Sequence, residues 1–374
     1  MKQNFIPLAK PEFGQLEKKL VNNCLNTGWI SSIGKYVNQF AKRFSKTVNT
    51  KYALPASNGT TALHLALIAL NIGSGDEVIV PAFTFVASAN TITYTGAKPV
   101  FIDIESETWN IDINQIEKKI TPKTKAIMTV DLYGHPVDFD QIKKICKKHN
   151  LKFISDSAES LGSQYKNKPV GSQADVSISS FFGNKIITTG EGGMLMTNSK
   201  KIYDTAKLYR DQGKQPKIHP YFHPVIGYNY AMTNLQAAVG IGQLKKLSQD
   251  VKQKRQIVKT YIQFFKNIPG IDFQKEADYA QSNWWMFSIL IDKKKFGRSR
   301  DGLIKYLAMK NIETRPFFYP LPALPPYKKN NKMSDFPVTK QIADTGMNLP
   351  TFASLKESEV KYICDSIKPI RLPS

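Results

Sequence analysis

Lys185 lies within "SFFGNKIITTGEGG" (180–193), and the nearest other charge in that stretch is Glu191. Aromatic residues and a Gly-Asn step precede it, and two threonines and a glycine-rich turn follow. A lysine emerging from a sheet core is suited to form an imine with a carbonyl carbon, because burial favours its neutral amine. Taken alone, a lysine is more often a surface residue, so its companions must decide. "FISDSAES" (153–160) sets Asp156 at the end of an apolar run. A carboxylate there needs a cation or a hydrogen-bond donor, whether for chemistry or for a structural salt bridge. "SNGTTALH" (57–64) opens a helix with Gly59, Thr60 and Thr61. Free backbone N–H groups and hydroxyls at a helix start suit a phosphate, although a plain N-cap has the same residues. "FTFVAS" (83–88) puts Phe85 just past a strand, where it either joins the core or covers a flat ring.

Together these four features meet the requirements of pyridoxal 5′-phosphate. The helix start is a phosphate cup and the aromatic ring a lid. Asp156 keeps the ring nitrogen protonated, so the ring acts as an electron sink, and Lys185 holds the aldehyde as an imine.

Such residues need a scaffold that gathers them at strand ends. Residues 51–244 alternate helical and strand-like signals. "TALHLALIALNI" (61–72) and "FDQIKKICKKHN" (139–150) have helical periodicity. The runs "EVIVP" (77–81), "KPVFIDI" (98–104), "KAIMTVDLY" (125–133), "KFISD" (152–156), "DVSISSF" (175–181) and "GGMLMTN" (192–198) are short, apolar and β-branched. The pattern predicts an α/β fold with a mostly parallel sheet covered on both faces, its functional groups on loops at the carboxyl ends of the strands. After "NLQAAVGIGQLKKL" a charged helical stretch leads to Pro269-Gly270, then to the strand-like "WWMFSILID" and the helical "RDGLIKYLAMKN" and "ESEVKYICDSIK". This predicts a large domain over 1–245 and a smaller α+β domain over 246–374.

Composition removes other classes. The 374 residues are 41% hydrophobic and 22% charged, as in an ordinary soluble globular chain. The formal net charge is +22, yet only seven of the 52 basic residues are arginines, and the lysines come in pairs on helix-like stretches. Without an arginine-rich arm or basic-aromatic stripe, the charge does not point to nucleic acid, though it favours an anionic substrate. Cys24, Cys146 and Cys364 are far apart and form no CxxC pair, so neither disulfides nor a metal site is expected. The first twenty residues lack the apolar core of a signal peptide, and no apolar run reaches membrane-span length. A cytoplasmic protein without membrane attachment is expected.

The chain also resembles the DegT/DnrJ/EryC1/StrS sugar aminotransferases, which have the aspartate-aminotransferase fold (fold type I). The resemblance covers nearly the whole chain. It rests on "GWISSIGKYV" (28–37), "SNGTTALHLAL" (57–67), "DEVIVPAFTFVAS" (76–88), "DSAESLG" (156–162), "SFFGNKIITTGEGGM" (180–194), "GYNYAMTNLQAAVGIGQL" (227–244) and "RPFFYPL" (315–321). It is greatest to the perosamine-synthase type, which aminates carbon four of 4-keto-6-deoxy nucleotide sugars. The resemblance implies that Lys185 is the imine-forming lysine and that Asp156 partners the pyridinium nitrogen. Glu159 would lie near the ring hydroxyl, Phe85 would stack on the ring, and Gly59, Thr60 and Ser180 would hold the phosphate. Asn229 would reach a phosphate in the neighbouring subunit of a homodimer with shared sites. Trp29, Ser31 and Arg315 would contact the nucleotide sugar. L-Glutamate would be the donor, and the product would be of GDP-perosamine or UDP-viosamine type. Two positions depart from the family: Ala231 replaces an arginine in "NYAM", and Pro322 replaces a histidine after "YPL". Both border the expected substrate pocket. Some relatives are dehydratases with histidine at the lysine position, and others are regulators; Lys185 favours amino transfer.

Overall fold

The structure, a computed structural model, describes residues 4–368. Seven strands form the central sheet: β1 (Tyr52–Ala56), β2 (Glu77–Pro81), β3 (Lys98–Ile102), β4 (Thr124–Val130), β5 (Lys152–Asp156), β6 (Val176–Ser180) and β7 (Gly193–Thr197). Their order across the sheet is β1-β7-β6-β5-β4-β2-β3. From β6 to β3 every pairing is parallel, while β7 runs against both β6 and β1. Six strands coincide with the apolar runs of the sequence. β1 carries Pro55, which breaks the strand pattern; such a residue is tolerated because β1 is the edge strand of the sheet, beside β7.

Helices α1 (Gln15–Thr27), α2 (Lys35–Thr47), α3 (Gly59–Ala69), α4 (Ala87–Tyr94), α5 (Phe139–Lys148) and α6 (Lys200–Arg210) surround this sheet. α3 is hydrophobic on nearly all sides, and Leu63, Leu65, Ala66 and Leu67 are all buried in the core that includes Val78, Val80, Ile154 and Ile178. Its start is fixed by Asn58, whose side chain accepts from Thr61 N at 2.8 Å while the Thr61 hydroxyl accepts from Asn58 N at 3.2 Å. This reciprocal cap satisfies two groups that a helix start leaves unpaired.

Helix α7 (Asn234–Phe265) is 32 residues long and runs unbroken through the division expected near residue 245. Its first part buries Ala237, Ala238, Ile241 and Leu247 beside Phe40, Phe44 and Phe181. A side chain at Gly240 would meet the Phe40 ring at 2.7 Å, so glycine allows the close crossing of α2 and α7. The later part of α7 buries Ile257, Val258, Tyr261 and Phe265 in a second core. That core faces an antiparallel sheet of order β8-β9-β11-β10, built from β8 (Ile271–Phe273), β9 (Phe287–Ile291), β10 (Arg315–Pro316) and β11 (Gly346–Leu349). Helices α8 (Arg300–Met309), α9 (Pro337–Thr345) and α10 (Glu357–Ser366) complete this region. The N-terminal Ile6 also belongs to it, pairing with Ile312.

Candidate active site

Strands β4, β5 and β6 end at Val130, Asp156 and Ser180, and all three residues line one cavity of about 520 Å³. Parallel neighbours end together, so their carboxyl ends make a common floor. Eight of the eleven predicted site residues line this cavity: Gly59, Thr60, Phe85, Asp156, Glu159, Ser180, Lys185 and Arg315. A larger groove of about 1040 Å³ along the middle of α7 holds none of them.

At one end of the cavity α3 presents Gly59 and Thr60. A side chain at Gly59 would approach Ser180 Cβ to 3.0 Å and its Oγ to 3.2 Å, so the helix start comes up bare against the Ser180 hydroxyl. Free amide groups, the helix dipole and two hydroxyls at one spot attract an oxyanion.

At the floor, Asp156 and Glu159 are each 5% exposed. The Ser88 hydroxyl donates to Asp156 Oδ2 at 2.7 Å, and the Ala158 amide donates to Oδ1 at 3.2 Å. Burial raises the Asp156 pKa above the usual carboxyl value, opposed by these two donors and by Lys185. Glu159 Oε2 accepts from Tyr133 N at 2.7 Å, and Oε1 faces Lys185 Nζ at 3.4 Å. Burial raises its pKa as well, against the pull of Lys185 and the Tyr133 amide. Lys185 follows β6 through the turn "FFGN", which brings its ammonium back over the strand ends. Nζ lies 3.7 Å from the ring centre of Trp285.

Phe85 lies over the cavity, 55% exposed, with Phe318 behind it at a ring separation of 5.9 Å. Arg315 lines the mouth from β10 and pairs with Glu313 at 3.1 Å.

Trp29, Ser31 and Asn229 are exposed and outside the cavity. The first two flank the start of α7: Asn234 Nδ2 donates to Trp29 O at 2.6 Å, and Asn234 N donates to Ser31 O at 2.9 Å. Two residues on, Gln236 Nε2 reaches the carbonyl of the cavity residue Glu191 at 2.7 Å, so this loop stands beside the mouth. Asn229 forms a bridge with Asp211, and Ala231 with Ala56. Pro322 is buried in a single 3-10 turn. Neither departure from the family pattern lines the cavity.

Sequence reasoning missed Ser88, Tyr133, Asn184 and Trp285. Ser88 stands in the quoted "FTFVAS" but has no signal of its own until Asp156 is placed opposite. Trp285 was absorbed into the strand-like run "WWMFSILID"; in fact β9 begins at Phe287, and Trp285 precedes it at the cavity wall.

Residues 11–368 match the DegT/DnrJ/EryC1/StrS aminotransferase family. The chain belongs to that family. A GDP-perosamine synthase of Escherichia coli O157:H7 is 47% identical over 365 residues, covering 97% of this chain and 98% of that protein. Among solved structures, Spr1654 of Streptococcus pneumoniae in its PLP form superposes with a TM-score of 0.91 at 29% identity, over 97% of this chain and 98% of that one. PseC of Helicobacter pylori, an aminotransferase of pseudoaminic acid biosynthesis, gives 0.90 at 30% identity, over 97% and 98%. The fold is therefore that of the fold type I enzymes, as the resemblance implied, and the cofactor of the family is pyridoxal 5′-phosphate. The residues present fit it. The bare Gly59 approach with the Thr60 and Ser180 hydroxyls suits the phosphate. The Asp156 carboxylate, with one protein donor on each oxygen, keeps acceptor capacity for a ring N–H.

Proposed function

We propose that this protein moves an amino group from L-glutamate to carbon four of a 4-keto-6-deoxyhexose carried on a nucleoside diphosphate, with GDP as the nucleotide. The observation that carries the reading is the Lys185 ammonium standing above two buried carboxylates, in the same cavity as the α3 phosphate cup. The near-full-length relative at 47% identity, a GDP-perosamine synthase, supports the acceptor.

Bound pyridoxal 5′-phosphate supplies an electron sink that makes a donor's α-proton removable. The chain supplies the rest. Thr60, Ser180 and the start of α3 hold the phosphate. Asp156, oriented by Ser88 and Ala158, holds the ring-nitrogen proton and is kept in place by the strand end. Glu159, fixed by the Tyr133 amide, lies near the ring hydroxyl. Phe85 covers the ring face. Lys185 would hold the cofactor by its aldehyde and would serve as the base for the donor's α-proton. Arg315 offers a planar fork suited to a diphosphate, for which lysine is no equivalent.

In our reading the working form is a homodimer. Asn229 stands outside the cavity of its own chain and reaches the neighbouring phosphate, while Trp29 and Ser31, with Arg315, contact the nucleotide sugar. We place the enzyme in the cytoplasm, where the three free, buried cysteines are kept reduced. Among the described residues no helix is long and apolar enough to cross a membrane.

The test is to supply purified protein with L-glutamate and either GDP- or UDP-linked 4-keto-6-deoxyhexose, and to locate the new amine by NMR. Amination at carbon four of the GDP sugar is expected. An amine at carbon three, or turnover with the UDP sugar alone, contradicts the reading.

A further inference from the structure

In the proposed reaction Lys185 would be detached at each stage, so its ammonium needs a resting place within the cavity. Glu159 supplies one oxygen at 3.4 Å, the other being taken by the Tyr133 amide. The second neighbour is a ring face: Nζ lies 3.7 Å from the centre of Trp285. A cation over an indole face is attracted by the ring quadrupole, more strongly where water is excluded. Trp285 is 6% exposed.

The ring is held from three sides. Its indole N–H donates at 2.8 Å to the carbonyl of Asn184, the residue before Lys185, so ring and lysine are tied to one turn. Tyr133 lies nearly parallel behind it, with ring centres 6.2 Å apart. Lys254 of α7 is itself buried and donates to the Trp285 carbonyl at 3.1 Å and to the Thr351 carbonyl.

We propose that Trp285 is a positioning residue whose ring face is the rest site of the detached Lys185 ammonium. The attraction exists only for the charged form. It therefore holds the lysine aside, over the ring, until a carbonyl carbon is ready for it. The other charged groups on the cavity side are Asp156, Glu159, Glu191 and Arg315. On the far side of the 183–188 segment stand Lys10, Glu12, Lys246, Asp250 and Lys254. A change at Trp285 removes none of these charges, so a displaced pH profile reports the ring.

The inference rests on the reading of Lys185 as the lysine that attaches the cofactor, and the experiment separates the two. Cofactor-free protein is mixed with pyridoxal 5′-phosphate across pH 6 to 9, and the rate of covalent attachment is followed by absorbance for wild type, Trp285→Phe and Trp285→Leu. Circular dichroism checks folding. With the ring removed, the reactive neutral amine persists to lower pH. The acid limb of the Leu profile is expected to move down by roughly one pH unit, and that of the weaker ring Phe by less. Three superimposed limbs, or equal displacement by Phe and Leu, overturn the proposal. If Leu does not fold, an unmoved limb in the Phe variant overturns it alone. Failure of wild type to attach the cofactor at any pH overturns instead the reading of Lys185.

Discussion

The floor of the cavity and its rim are built by opposite rules. On the floor, Asp156 and Glu159 are buried, and each carboxylate oxygen faces a named partner. On the loops that carry Trp29, Ser31 and Asn229, by contrast, Trp29 is 54% exposed, Ile33 77% and Ile226 92%, all large apolar side chains. Buried charge costs free energy unless it is fixed and partnered, so the floor must be complete before any ligand arrives. Exposed apolar groups gathered on loops mark a surface whose burial comes from elsewhere, in our reading from a second copy of the chain. In our reading, the chemistry belongs to the single chain and completion of the substrate site to a second copy.

Breaking the floor has the largest expected effect. Lys185→Ala should lower turnover by ~10^4-fold or more and abolish covalent attachment of the cofactor, read by steady-state rates and absorbance. Asp156→Asn should follow, with a loss on the order of 10^2–10^3-fold. The same variant should be more stable than wild type at neutral pH. Burial raises the Asp156 pKa above its usual 3.8, so its favourable contribution exists below that value and is lost as pH rises through the folded-state pKa. Asparagine escapes that loss, and denaturation curves from pH 4 to 8 should show the variant's advantage growing with pH.

At the mouth, Arg315→Lys should reduce the sugar half-reaction by roughly tenfold and leave the glutamate half-reaction unchanged. Equal losses in both halves would make Arg315, with its partner Glu313, merely structural. Behind the wall, Lys254 is buried and its pKa is lowered to about 7 from 10.5 by desolvation. For a lysine so depressed, stability is fully present above 10.5 and lost as pH falls through about 7. Lys254→Met should therefore gain on wild type by up to a few kcal/mol as pH falls from 10 to 7, measured by chemical denaturation.

The floor was legible in the sequence because each of its residues sits at a fixed offset from an apolar strand. β2 and β5 match their runs end to end, and Asp156 is the last residue of β5. The wall was not legible. Trp285 reaches the site from a loop and Lys254 backs it from the middle of a 32-residue helix, and their role depends on tertiary contacts with no sequence period. The continuity of α7 was hidden for a related reason: its surface turns from apolar to charged near Lys245, which resembles an ending, whereas the helix merely changes partner from one core to the other. Asn229 had a motif, but it lies outside the cavity of its own chain, bridged to Asp211.

The division between floor and rim is tested most directly by mixing subunits. Lys185→Ala protein lacks the floor and Asn229→Ala protein lacks the rim, and each alone should be nearly inactive. After subunit exchange, the mixed dimer contains one site with an intact lysine and the neighbour's intact asparagine, and the population should recover about a quarter of wild-type activity. No recovery despite demonstrated exchange, or full activity of wild-type monomer at high dilution, would contradict the account.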